Sequence, residues 1–193
     1  MQKSKIILCG GFAIAMIALP PALFGQNKTY SSASPNTNSS NKAVDSADKK
    51  FVREAAQGNL AEIELGQLAE QKASSPEVKK FAERMVQDHT KANDQLKEIA
   101  RNKGISLPDS PAVKDKLTKD RLSKTNGEKF DREYMSDMVK DHEKDVSAFK
   151  HESQSGSDTD VKSFASKTLP KLQDHLREAQ QLAPATGSKT SSR

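Results

Sequence analysis

The sequence predicts an all-α fold, an antiparallel four-helix bundle with a short extra helix in the connection between the second and third long helices. Three observations lead there. Apolar residues recur at alternating spacings of four and three through four long stretches, which is the seam of a packed helix. Capping residues and glycine or polar turns bound most of those stretches. Alternating strand patterns are almost absent. A coiled-coil oligomer is the other arrangement that such seams permit.

The chain of 193 residues has room for one domain with appendages. Only 34% of it is apolar, 5% is aromatic and 30% is charged, so the apolar deficit must sit in unfolded segments or in helices with narrow seams. Residues 1–25 read as a secretory signal peptide. Lys3 and Lys5 precede an apolar run over 6–19, Pro20 and Pro21 break it, and cleavage is expected after Gly25. The run is too short for a membrane-spanning helix; a retained anchor is the rival reading. Cys9 follows Leu8, where lipid modification needs a small residue. With the leader removed, no cysteine is left for disulfides or for multi-cysteine metal sites.

Removing Lys3 and Lys5 leaves 29 basic against 26 acidic groups, and a net charge of +3 in place of +5. The two signs alternate finely, as in Lys119-Asp120-Arg121 and Glu143-Lys144-Asp145, which describes solvated helix faces and excludes a phosphate-binding stripe. Nucleic acid is therefore not an expected partner. Residues 26–46 are expected to be a flexible linker, with twelve Ser, Thr or Asn among the twenty residues 27–46. The tail, 184–193, has the same character. The folded domain is expected over 47–183.

Within it, the first helix is predicted over 47–73, capped by Asp45 or Ser46. The second starts with Ser75 as cap, Pro76 in the first turn and Glu77 at the positive helix end, and stops at Gly104. A short helix is placed at 111–123. The third long helix runs over 128–152 and ends in the polar, glycine-containing segment 153–157. The fourth runs from 158 or 159 to 183 with a kink at Pro170.

The seams carry the chemistry. They are Phe51, Ala55, Gly58, Glu62, Leu65 and Ala69 in the first helix; Val78, Ala82, Met85, His89, Ala92, Leu96 and Ile99 in the second; Met135, Val139, His142, Val146 and Phe149 in the third; and Val161, Ala165, Thr168, Leu172, His175, Ala179 and Leu182 in the fourth. Each contains one ionisable group, so Glu62, His89, His142 and His175 are expected to face a common interior. Short echoes support related helices or repeated hairpins. Residues 85–89 (MVQDH) match 138–142 (MVKDH) at four of five positions, and 78–82 (VKKFA) resembles 161–165 (VKSFA).

Phe51-Val52 with the run 62–69 (EIELGQLA), then 85–89, Tyr134-Met135 with Asp141-His142, and Leu169-Pro170 with His175 resemble the bacterial family 4142 of domains of unknown function. The resemblance spans about 47–183. It implies a ferritin-like helical bundle that is exported to the periplasm or cell envelope, often labelled an outer-membrane protein, and it brings no settled activity.

Three imidazoles and a carboxylate suit a single transition-metal ion. Asp88, Asp141 and Asp174 are candidates to orient the rings. Neighbouring residues stand about 100° apart on a helix, so each would serve the histidine of another helix. Tyr134 is a further hydrogen-bonding candidate. The usual di-iron motif, Glu-x-x-His on two helices, is missing, because Val86, Val139 and Leu172 stand three residues before the histidines. The leading reading of the same residues is a buried polar network that sets helix register, with the metal site as the alternative. His151 is expected in solvent, Met85, Met135 and Met138 as packing, and Gly58 and Gly66 either as points of close helix approach or as a plain cost in helix propensity. No nucleophile motif, phosphate loop or zinc-protease helix occurs, so no catalytic residue is assigned. Three functional readings follow: a non-catalytic envelope binding or structural module tied to stress, with an envelope protein or a second copy as partner; a metal-binding or redox protein; and an acid-responsive switch.

Overall fold

In the computed structural model, residues 43–183 are described, and they form five α-helices and no strand. The helices are α1 (Ser46–Lys72), α2 (Pro76–Asn102), α3 (Val113–Ser123), α4 (Gly127–Ser155) and α5 (Thr159–Leu182). The expected signal peptide, the linker up to 42 and the tail lie outside the described residues. Among those described, no helix is long and apolar enough to cross a membrane.

Local chemistry sets the ends. Asp45 caps α1 by accepting the Ala47 amide at 2.8 Å. Ser75 Oγ accepts the amides of Glu77 and Val78, with Pro76 opening α2 where its missing N–H costs nothing. Gly104, just past α2, takes φ +62°, a left-handed stop that glycine adopts without strain. Asp158 caps α5. α4 continues to Ser155, three residues beyond the sequence expectation, and α3 starts two residues later than expected. α5 runs through Pro170 to Leu182 with the proline on its exposed side.

α1 packs chiefly on α2 and α4 on α5, while α2 meets α5 and α1 meets α4 to complete the bundle; α3 lies against α1 and α4. Two buried aspartates tie each helix pair to the turn of the other. Asp131, near the start of α4, accepts the amides of Ser74 and Ser75 in the α1–α2 turn at 3.0 and 2.9 Å. Asp48, near the start of α1, accepts the amides of Ser157 and Asp158 in the α4–α5 turn at 3.3 and 2.7 Å. These aspartates are 83 residues apart, the same offset as the Val78 and Val161 segments. The helix pair α1–α2 is thus echoed by α4–α5.

The core has two apolar halves. One gathers Leu65, Phe81, Met85, Phe130, Tyr134, Met138 and Ala179; the other gathers Val52, Ala56, Leu96, Phe149, Phe164 and Leu172. Met85, Met135 and Met138 are therefore packing residues. The first half of the α1 seam differs from expectation: Phe51, Ala55 and Gly58 are only half-buried, and the buried stripe is Val52, Ala56 and Asn59. A seam read at 3.5 residues per turn drifts against the 3.6-residue helix, so one register is easily taken for its neighbour. The two glycines also part ways. A Cβ on Gly66 would meet Val86 Cγ2 at 2.7 Å and the Ala82 carbonyl at 3.1 Å, so α1 and α2 do approach closely there, whereas a Cβ on Gly58 meets nothing within 4 Å.

Candidate metal centre

Between the two apolar halves runs a polar layer. On α2, His89 follows Met85 of one half and precedes Leu96 of the other; on α4, His142 lies between Met138 and Phe149; on α5, His175 lies between Leu172 and Ala179. On α1 the same level holds Asn59, with Glu62 three residues farther along. Helical periodicity puts these positions inward, and burial is nearly complete, with 3%, 0% and 1% exposure for His89, His142 and His175.

The three rings face one another, with centroids 5.7 Å apart for His89–His142, 5.6 Å for His89–His175 and 5.4 Å for His142–His175. Each ring offers one nitrogen, and these atoms lie within 4.8 Å of one another. One nitrogen of each ring is already engaged. His142 Nδ1 donates to the Met138 carbonyl at 2.9 Å, and His175 Nε2 donates to Asp88 Oδ2 at 3.0 Å. His89 Nδ1 meets Asn59 Oδ1 at 2.9 Å, again as donor to an oxygen. Carbonyl and carboxylate oxygens only accept, so these contacts place the ring protons and leave lone pairs on His89 Nε2, His142 Nε2 and His175 Nδ1. Those three buried nitrogens have no hydrogen-bond partner among the described residues.

Burial keeps the rings neutral. It holds His89 well below the usual histidine range, reinforced by His142 and His175. It brings His142 down to about 4, with His175 adding to the effect. His175 is lowered too, against the pull of Asp88.

The other sequence candidates separate. Glu62 is 3% exposed and its Oε2 has no partner among the described residues, but the nitrogen cluster closes without it. Its carboxyl is held well above the usual range by burial first and then by Asp145, Asp141 and Asp115, so it belongs to a carboxylate group on the α3 side of the bundle. Asp88 meets a histidine of another helix, as its 100° offset from His89 requires. Asp141 pairs instead with Lys144 at 2.9 Å, and Asp174 with Arg177. Both are neutralised within one turn of their own helix, and neither orients a ring. Tyr134 is fully buried, stacked on Phe130 with centroids 5.8 Å apart, and its hydroxyl has no partner among the described residues. His151 is exposed. Asn59 is the residue the sequence reading missed; the signal was its place three residues before Glu62 on the true α1 stripe.

Solved structures of similar fold include a DUF305 fragment from Deinococcus radiodurans, 12% identical over 72% of this chain and 96% of that one, with a TM-score of 0.65. A DUF305 protein from Streptomyces coelicolor is 16% identical over 70% and 89%, with a TM-score of 0.62. CopM in its Cu(I)-bound form is 18% identical over 69% and 93%, with a TM-score of 0.59. At these identities the likeness is one of fold. No curated protein sequence matches the chain. Residues 33–182, most of the chain, match the family described as Domain of unknown function (DUF4142), and the chain belongs to that family.

Proposed function

We propose that this protein binds a single transition-metal ion between α2, α4 and α5 through His89 Nε2, His142 Nε2 and His175 Nδ1. The observation that carries the reading is the convergence of three buried imidazoles, each with one nitrogen within 4.8 Å of the others and each with one nitrogen unpartnered among the described residues. Nitrogens about 2.0–2.1 Å from a shared ion stand roughly 3.4–3.6 Å apart, so a separation of up to 4.8 Å is closed by small ring movements. Imidazole suits copper and zinc. Among the described residues, Asp88 is the one carboxylate hydrogen-bonded to the ligand rings, and its charge is shared with Lys171. CopM has been solved with Cu(I), Cu(II) and silver, which favours copper as the ion to test first.

The role that follows is binding and holding the ion, without catalysis. The leader over 1–25 supports export to the periplasm or envelope, and the Streptomyces coelicolor neighbour is provisionally labelled a secreted protein. Short turns and the circuit of helix contacts support an antiparallel four-helix arrangement of ferritin-like type, with α3 as the extra helix. A specific observation favours a second reading: Asn59–His89 and Asp88–His175 both join different helices, as a register-setting polar network does.

Metal analysis of protein purified without an affinity tag separates the two. One equivalent of copper and a melting temperature raised by added copper are expected, both lost in His89→Ala, His142→Ala and His175→Ala. Less than about 0.2 equivalents of any transition metal, with no melting shift on adding Cu, Zn or Fe, rejects the metal reading and leaves the network.

A further inference from the structure

An ion bound by side chains no more than 3% exposed needs a way in. The pairs α1–α2 and α4–α5 are closely packed, so access is left to the two other sides, α1–α4 and α2–α5, and each carries a groove. Their charges differ. The α2–α5 groove is lined by four lysines against three carboxylates, and Lys171 closes on Asp88 at 3.0 Å. The α1–α4 groove, about 460 Å³ and flanked by α3, is lined by five carboxylates against two lysines. Those two lysines are spent locally, Lys144 on Asp141 and Lys114 on Asp115. Glu62 and Asp145 form no ion pair among the described residues, and Glu62 Oε2 is buried without any partner.

A carboxylate buried without a counter-charge is costly unless something supplies one. Glu62 and Asp145 are 83 residues apart, so they occupy equivalent positions on the two echoed helix pairs and line the same groove. Each also stands about one helical turn from the histidine layer: Glu62 is three residues from Asn59, which holds His89, and Asp145 is three residues from His142.

We propose that the α1–α4 groove is a cation vestibule in which Glu62 and Asp145 collect the hydrated metal ion and pass it to the three histidines. This rests on the metal-binding reading above. The groove's carboxylates do not close on one another as the ring nitrogens do, so the ion is held there through its water and exchanges readily. Carboxyl groups that give up a proton to an arriving cation draw it into the cleft, raising its association rate and leaving the affinity of the inner site to its ligands.

The test is stopped-flow binding of Cu2+ to the metal-free full chain, read by quenching of tyrosine fluorescence, beside an equilibrium titration. Glu62→Gln/Asp145→Asn is expected to slow association about tenfold at low ionic strength while the dissociation constant stays within about threefold. Added salt slows the wild type and has little effect on the variant. Lys167→Gln, in the other groove, leaves the rate unchanged. An unchanged rate in the double variant, with binding still dependent on the histidines, overturns the vestibule and leaves the metal reading standing. Affinity that falls tenfold with no change in association makes Glu62 or Asp145 a ligand and also overturns it. A wild type that takes up no Cu2+, Zn2+ or Fe2+ removes both.

Discussion

Asp88 Oδ2 accepts the Nε2–H of His175 at 3.0 Å, although Asp88 is the chain neighbour of His89. The same carboxylate receives Lys171 at 3.0 Å through Oδ1 and is nearly buried, so one aspartate on α2 fixes the tautomer of a ring on α5 and links it to the surface. The shared charge keeps Asp88 below the usual aspartate range despite its burial, through Lys171 first and then His175.

Removing that charge weakens metal binding without touching a ligand. Asp88→Asn keeps an acceptor and is expected to lower copper affinity about tenfold; Asp88→Ala frees the ring and lowers it by up to about a hundredfold. Competition titration against a chelator of known affinity checks both, and equal affinity in all three proteins excludes the role.

Acid acts on the metal-free fold in two opposing ways. His89, His142 and His175 are lowered in the fold, His142 to about 4, so their stabilising contribution is complete above the ordinary histidine value and drains away as pH falls from there through about 4. Asp145 and Glu152 are held up at about 7 by burial, with Asp141 and Asp48 respectively adding repulsion; their cost grows as pH rises from the ordinary carboxylate range through about 7, and acid relieves it. Wild-type stability therefore changes little between pH 7.5 and 5. Asp145→Asn/Glu152→Gln removes the relief, and urea denaturation of that variant is expected to show a loss larger by about 1–2 kcal/mol over the same interval.

The two glycines of α1 give opposite results. Gly66→Ala forces a methyl against Val86 and the Ala82 carbonyl and destabilises by about 1–3 kcal/mol. Gly58→Ala meets nothing and stabilises by about 0.5–1 kcal/mol through helix propensity. Denaturant midpoints of the two variants against wild type measure both signs.

Asp131→Ala strips the acceptor from the Ser74 and Ser75 amides, and Asp48→Ala does the same to Ser157 and Asp158. Each is expected to cost about 2–3 kcal/mol, since partly buried donors lose a charged acceptor. Hydrogen exchange at those four amides rises in the matching variant alone, while copper binding is kept because the clamps stand at the turns, away from the histidine layer.

Helix number, most boundaries and the inward placement of the three histidines were legible in the sequence, because capping chemistry is local and a seam of four-and-three spacing shows which face is buried. Family membership was legible too, as a set of motifs. The α1 register was not: Phe51 and Val52 fit the period equally well, and only the neighbouring helices select Val52, Ala56 and Asn59. Nor does spacing reveal which charges are spent within their own helix, as Asp141 and Asp174 are on Lys144 and Arg177, and which reach across, as Asp88 does. The sequence determined that a polar group would face inward from each long helix. Tertiary structure decided that three of them meet as a nitrogen cluster while Glu62 turns to a carboxylate groove, because a contact between helices depends on their rotation and height, and no local pattern encodes either.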